Sequence, residues 1–210
     1  MKYSNANPYL IGITGGSASG KTSFLLALKE KFRTSQVCVI SLDNYYKPLH
    51  QQPRDINDQP NFDIPESIDV EAFIHDLDKL KLGEAYERQE YTFNNSNTEP
   101  KIIIHQPAPI IIVEGLFIFY IQSVFDKLDL RLFVDAHHDI KWERRLRRDV
   151  TERNISEETV KYQWENHVMP SYREYLEPYI QNADVVILNN HNFERSLQMV
   201  VNHLKTILNQ

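Results

Sequence analysis

Hydrophobic positions along the chain fall into two alternating patterns. Short, nearly continuous apolar runs occur at Tyr9–Thr14, Val37–Leu42, Ile110–Val113, Leu130–Val134 and Asp184–Leu188. Runs of this length predict strands buried on both faces. Between them, apolar residues recur every three or four positions. Phe24, Leu25, Leu28 and Phe32 mark a helix over Ser23–Phe32, and Val70, Phe73, Ile74, Leu77 and Leu80 mark another over Asp69–Leu80. Further helices are predicted over Asp139–Arg153, Ser156–Ile180 and Phe193–Leu208, the second of these interrupted at Pro170 and Pro178. Strands alternating with helices predict an α/β fold, a mostly parallel sheet with helices on both faces. Ligands in such sheets bind at the carboxyl ends of the strands, so the residues just after each strand carry the functional interest.

Two stretches break the alternation. Asp43–Pro65 holds four prolines and little periodicity, which predicts a long ordered loop of the kind that often carries function. Ala85–Phe93 and Lys101–His105 read as two strands around the Asn-rich turn Asn94–Asn97, a hairpin inserted at about 85–105 that suits a substrate-covering element. No internal repeat or low-complexity tract divides the chain, so residues 1–210 are expected to form one domain.

Composition narrows the class. At 41% hydrophobic and 25% charged residues the chain is ordinary for a globular protein, which excludes disorder as the main state. A net charge of −6 argues against coating nucleic acid by bulk electrostatics. The single cysteine, Cys38, excludes a disulfide framework, and with eight scattered histidines it offers no zinc-ligand pair. Met1–Tyr9 lacks an apolar core of signal-peptide length, and the most apolar stretch, Ile110–Ile121, contains Glu114 and Gly115. The expectation is a soluble cytoplasmic protein with no membrane or nucleic-acid partner.

The strongest motif follows the first strand. Gly15-Gly16-Ser17-Ala18-Ser19-Gly20-Lys21-Thr22 fits G-x-x-x-x-G-K-[ST] between a predicted strand and a predicted helix. Glycines let successive backbone N–H groups curl around phosphate oxygens, and the helix N-terminus adds partial positive charge. Lys21 is placed for the terminal phosphates, Thr22 offers a hydroxyl to Mg²⁺, and Ser23 continues the candidate nucleotide site. The loop alone admits switches, motors and kinases. Neither Asp-x-x-Gly nor Asn-Lys-x-Asp occurs, which removes the GTPase switch.

A small-molecule kinase needs a base, a metal-side acid and a basic lid. Asp43 follows the second strand, where a carboxylate can orient and deprotonate a hydroxyl or can simply form a turn; position alone leaves both open. Glu114 ends the strand Ile110–Val113 and is placed to hold Mg²⁺ directly or through water. The helix Asp139–Arg153 carries Trp142, Leu146 and Val150 as an apolar stripe. Arg144, Arg145, Arg147 and Arg148 share its opposite face, better explained by phosphate than by a solvated surface. A mobile lid over about 139–165 follows from this.

Together, Gly15–Thr22, Ser41-Leu42-Asp43-Asn44-Tyr45-Tyr46-Lys47, Asn61-Phe62-Asp63, Val113-Glu114-Gly115 and Arg145-Leu146-Arg147-Arg148-Asp149-Val150 resemble the uridine kinase (uridine–cytidine kinase) family. The resemblance runs from about Tyr9 to Phe193. It implies transfer of the γ-phosphate of ATP or GTP, with Mg²⁺, to the 5′-hydroxyl of uridine or cytidine, as in pyrimidine salvage. It gives Asp43 the base role, with Lys21 and Arg148 as its catalytic companions, and Asp63 the ribose hydroxyls. Tyr91 and Phe93 would flank the base, Arg145 would approach nucleoside and phosphates, and Arg148 and Arg153 the phosphates. Gln163 would touch the base side, and Asn192 the purine of the donor. A homo-oligomer, often a tetramer in that family, is also implied. Two positions depart from the family pattern. Ser96 stands where a base-reading histidine is usual, and Ile155 where an arginine is usual. Asn94 or Asn95 is a candidate replacement for the histidine, because an amide both donates and accepts. The altered base contacts keep open a related kinase with another acceptor, such as a different riboside, pantothenate or a sugar phosphate. A nucleotide-binding regulator without turnover is the reading of a different class.

Overall fold

The structure is a computed structural model and describes residues 7–92 and 99–209. Its strands are β1 (Tyr9–Thr14), β2 (Val37–Ser41), β3 (Tyr86–Gln89), β4 (Ile102–His105), β5 (Ile110–Glu114), β6 (Leu130–Asp135) and β7 (Val185–Leu188). Five of them form a parallel sheet in the order β2-β5-β1-β6-β7, while β3 and β4 pair antiparallel on their own. The helices are α1 (Lys21–Lys29), α2 (Val70–Lys81), α3 (Gln122–Phe125), α4 (His138–Thr151), α5 (Glu157–Gln163), α6 (Met169–Ser171) and α7 (Glu194–Leu208).

The twofold alternation of side chains along each strand divides the core into two layers. Leu10, Ile40, Ile111, Val113 and Phe133 pack with Phe73 and Leu77 of α2 and with Phe117 and Phe119. Ile11, Ile13, Ile110, Ile112, Val134 and Ile187 pack with Phe24 and Leu28 of α1 and with Leu197, Val200 and Leu204 of α7. Both faces of β5 are therefore covered, and Ile110 to Val113 are fully buried, which is why that run is continuously apolar. Register then sets the site. Glu114 sits beside Ile13 on one neighbour and Ser41 on the other, so the chain leaves three adjacent strands at one level.

Several boundaries differ from the sequence expectation. Helix α1 starts at Lys21, not Ser23, because Gly20 at φ 98° ends the loop and turns directly into the helix. It stops at Lys29, and Phe32 packs from the following turn, where its N–H reaches the Lys29 carbonyl at 3.1 Å. Strand β3 ends at Gln89: the Tyr91 N–H turns away to the Asn44 side-chain oxygen, 3.1 Å, and leaves the ladder. Phe93 and the turn Asn94–Asn97 lie outside the described residues. Pro170 does not interrupt its helix. A wide π turn, Trp164–Val168, precedes α6 and a second, Tyr172–Leu176, follows; widening relieves the clash of the proline ring with the preceding turn. Pro178 sits in the first turn of a 3₁₀ segment, Glu177–Asn182, where its missing N–H is not needed.

The largest correction concerns α4. Its predicted apolar stripe is not its buried face: Val150 is 37% exposed, whereas Lys141, Arg145 and Asp149 are buried. The helix packs on the polar carboxyl end of the sheet, so the charged side faces inward. Arg147 points to solvent, apart from the other three arginines. Among the described residues no helix is long and apolar enough to cross a membrane.

Candidate active site

The loop after β1 is shaped by two glycines. Gly15 at φ 147° lies against the Val134 carbonyl, and Gly20 at φ 98° lies against the Asn189 side chain; a Cβ at either would collide. Asn189 donates to the Ser19 carbonyl, 2.9 Å, and so ties the end of β7 to the loop. Lys21 is buried and its Nζ donates to the Gly16 carbonyl, 3.1 Å, across the loop's mouth. Burial lowers the pKa of that ammonium, and Glu114 and Asp43 pull it back up. Ala18, Thr22 and Ser23 open onto the cavity beside it.

The two acids converge through Ser41. Its hydroxyl donates to Glu114 Oε2, 3.1 Å, and accepts the Asp43 N–H, 3.3 Å. Burial pushes the Glu114 carboxyl up to about 7, Asp43 adds to this, and Lys21 and the Ser41 hydroxyl oppose it. Asp43 is raised too, first by burial, against the pull of Lys21, Arg153 and Arg148. Two carboxylates facing one ammonium favour a further cation. Hard oxygen donors, few in number and beside a phosphate cradle, suit Mg²⁺ arriving with a triphosphate. The residues present therefore fit the metal and the nucleotide.

The long loop after β2 folds back over this centre. Asn61 Oδ1 accepts the Asp63 N–H, 2.9 Å, which fixes the turn that carries Asp63. Phe62 and Tyr91 both lie against Tyr46, with ring centroids 5.7 Å and 5.5 Å away. Tyr46, Phe62, Asp63 and Thr92 share one cavity with Lys21, Asp43 and Glu114, about 1020 Å³ in volume.

Arg145 crosses that cavity. It donates to Ser17 Oγ at 2.8 Å and to Gln163 Oε1 at 3.2 Å, and it stands 3.9 Å from Asp63 Oδ1. Asp149, 1% exposed, gathers three guanidinium groups: Arg148 at 2.8 Å, Arg153 at 3.2 Å and Arg145 at 3.2 Å. The last pair is not aligned for a hydrogen bond, so Arg145 Nε and Asp149 Oδ2 remain buried without one. Burial and the neighbouring Arg148 lower the pKa of Arg153. Arg144 lines the same cavity and donates to the Asn189 carbonyl, 2.9 Å.

Most residues singled out in the sequence are thus brought together. Asn192 is not: it is exposed, and its Oδ1 accepts the Glu194 N–H, 3.3 Å, at the start of α7. Phe93, Asn94, Asn95 and Ser96 lie outside the described residues, and Ile155 lines the cavity. Sequence reasoning missed Tyr46, Asp149, His167 and Lys141. Lys141 supports the loop from behind, donating to Asp135 Oδ1 at 2.8 Å and lying 4.0 Å over the Tyr172 ring that abuts Gly16. Tyr46 and Asp149 lie within the motifs that carry the resemblance but have no role of their own there, Lys141 meets Asp135 six residues earlier across the end of β6, and His167 meets Asp55 only through tertiary packing.

A parallel sheet with the Gly15–Thr22 cradle between β1 and α1, and acids at the ends of its neighbouring strands, defines a P-loop α/β fold. Comparison with known proteins narrows this. The profile of the Phosphoribulokinase / Uridine kinase family matches residues 10–193, and the chain belongs to that family. It is 32% identical over 217 residues to Uridine-cytidine kinase B of Dictyostelium discoideum, covering 100% of this chain and 89% of that one. It is 35% identical over 202 residues to a uridine kinase of Chloroflexus aggregans, covering 96% and 97% of the two chains. A solved structure titled as a possible uridine kinase from Bacillus stearothermophilus shares the fold, with a TM-score of 0.58 at 20% identity over 89% of this chain and 90% of that one.

Proposed function

We propose that this protein transfers the γ-phosphoryl group of ATP or GTP to the 5′-hydroxyl of uridine or cytidine. One observation carries the proposal: a single cavity is lined both by the phosphate loop (Lys21, Thr22) and by Asp43 and Asp63. Phosphate donor and polyol acceptor therefore meet in one space. Asp43, its proton affinity raised by burial, accepts the proton of the attacking hydroxyl. Asp63 takes the vicinal ribose hydroxyls, and Tyr46, Phe62 and Tyr91 supply apolar surface for the base. Lys21, Arg148 and Arg153 face the phosphates, and Arg145 links the two halves. Thr22 and Glu114 would hold Mg²⁺, which when bound neutralises charge on the phosphates. Catalysis is mainly positioning and charge stabilisation, with α4 and α5 closing as a lid. The reading also carries a cytoplasmic location and a homo-oligomer, the latter checked by light scattering.

The test is a coupled assay of ADP or GDP release with Mg²⁺ and a panel of uridine, cytidine, other ribosides and pantothenate. Turnover with uridine or cytidine is expected. Turnover only with another acceptor, or none, overturns the assignment. Asp63→Ala should penalise uridine far more than 2′,3′-dideoxyuridine; equal losses would remove Asp63 from the ribose.

A further inference from the structure

His167 lies on the π turn after α5, 2% exposed, and lines the acceptor end of the cavity with Gln163, Phe62 and Thr92. Its Nε2 is 2.7 Å from Asp55 Oδ2. The same oxygen accepts the Tyr162 hydroxyl, 2.5 Å, which in turn accepts from Asn57 Nδ2, 2.7 Å. Asp55 Oδ1 accepts the N–H groups of Asn57 and Gln59, both 2.9 Å. These donors, Tyr162 first, hold the Asp55 carboxyl well below the usual carboxylate range, so it is ionised and only accepts. The proton between Asp55 and His167 therefore belongs to Nε2. In the neutral ring that leaves a lone pair on Nδ1. Among the described residues nothing donates to it. The ring plane is fixed by edge contact with Tyr162, centroids 5.7 Å apart at 83°.

Gln163 provides the complement. Its Oε1 is occupied by Arg145, so its amide N–H groups are what it can offer a ligand. Four residues apart on a helical segment, Gln163 and His167 project to the same side. Gln163 and His167 line the same cavity as Asp43 and Asp63, so in the proposed reading a base joined to a sugar bound there can reach this wall.

We infer that His167, oriented by Asp55, determines acceptor specificity by accepting a hydrogen bond from the N3–H of uracil or the 4-amino group of cytosine, paired with a donor from Gln163 to the neighbouring ring acceptor. The inference rests on the nucleoside kinase reading above. It supplies a base-reading group on the lid side, where the hairpin carries Ser96 in place of histidine.

The test compares kcat/KM for uridine and 3-methyluridine in the wild type, His167→Phe and Asp55→Asn. The wild type should prefer uridine by about tenfold or more, the scale of one buried hydrogen bond. His167→Phe keeps the ring bulk, so it should cut uridine by about tenfold or more and change 3-methyluridine by less than about threefold. Asp55→Asn changes a loop residue rather than the buried ring and unpins the tautomer; it should reduce the preference in the same direction. Equal losses for both substrates would make the cluster a structural tie and overturn the inference, as would a wild type indifferent to N3 methylation or a preference unchanged in His167→Phe. If the wild type turns over no ribonucleoside, the nucleoside kinase reading falls and this inference with it. Turnover with an unmoved preference overturns the inference alone.

Discussion

Glu114→Gln should make the free protein more stable while removing the carboxylate proposed to hold Mg²⁺. Glu114 is 3% exposed, and its carboxylate is burdened first by burial and then by Asp43. Its folded pKa of about 7 stands above an ordinary value of 4.5. Between those values the folded chain binds more protons than the unfolded chain, so stability falls as pH rises through 7. Below 4.5 the acid is neutral in both states and costs nothing. A tenfold difference in proton affinity corresponds to about 1.4 kcal/mol, so the full penalty above pH 7 is on the order of 3 kcal/mol. Glutamine is nearly isosteric, stays neutral, and keeps an oxygen for the Ser41 hydroxyl. Lys21 loses a nearby carboxylate in the exchange, which sets the expected gain at about 1–3 kcal/mol.

For a chain of this length that gain raises Tm by about 3–10 °C. Calorimetry from pH 4 to pH 9, without nucleotide or divalent cation, should show the mutant and wild type converging toward pH 4, diverging as pH rises to about 7 and staying apart above it. With Mg²⁺ and ATP the order should narrow or reverse, because binding stabilises whichever protein binds better. A mutant no more stable than the wild type at pH 8.5, or a difference that ignores pH, would refute the argument that burial and Asp43 dominate this carboxylate.

Three other predictions follow from the same geometry. Asp43→Asn should lower kcat by about 10²–10⁴ with little change in nucleoside KM, the range of a positioned base; a loss under about tenfold in steady-state assays would demote it to a turn former. Gly20→Ala and Gly83→Ala both force a side chain onto positive φ, at 98° and 84°, but only the first also displaces a neighbour, Asn189. Chemical denaturation should show about 1 kcal/mol lost at Gly83 and clearly more at Gly20, with nucleotide affinity lost only at Gly20. Asp149→Asn leaves three guanidinium groups without their shared carboxylate, so stability should drop by about 3 kcal/mol. Affinity for tripolyphosphate, measured by calorimetry, should rise, and a fall in both would show that Asp149 positions the arginines rather than competes for them.

How much of this was legible beforehand depended on whether the determinant was local. The strand Tyr9–Thr14 was read to the residue, and Gly15–Thr22 was recognised, because burial and phosphate geometry constrain consecutive positions. Asp43 and Glu114 were legible as strand ends. Helix α4 was misread for a physical reason: periodicity locates the apolar side of a helix, and this helix buries its polar side against a polar sheet end. Asp55 and His167, 112 positions apart, meet only because the loop after β2 folds onto the turn after α5. A single-turn helix such as α3 has too few positions to show any period.

The placement of charge explains why an acidic chain buries so many cations at one point. Lys21, Lys141 and Arg145 are each buried, and each has a carboxylate within reach: Asp43 and Glu114 act on Lys21, Asp135 holds Lys141, and Asp149 and Asp63 flank Arg145. Buried charges without partners would cost several kcal/mol each, so the acids are what allow the cations to be stored in the free fold. Of these three only Lys141 is saturated, at 2.8 Å from Asp135 and against the Tyr172 ring. Arg145 stands 3.9 Å from Asp63 and 3.2 Å from Asp149, the latter not aligned for a hydrogen bond, so its Nε lacks one. Lys21 makes its hydrogen bond to a loop carbonyl rather than to either acid. The cation remote from the cavity is thus fixed by a short ion pair, and of the two that line it Lys21 keeps the looser partners. In the proposed reading an incoming phosphate meets Lys21 free of a direct hydrogen bond to either acid, whereas at Arg145 it must compete with Asp149, 3.2 Å from Nε.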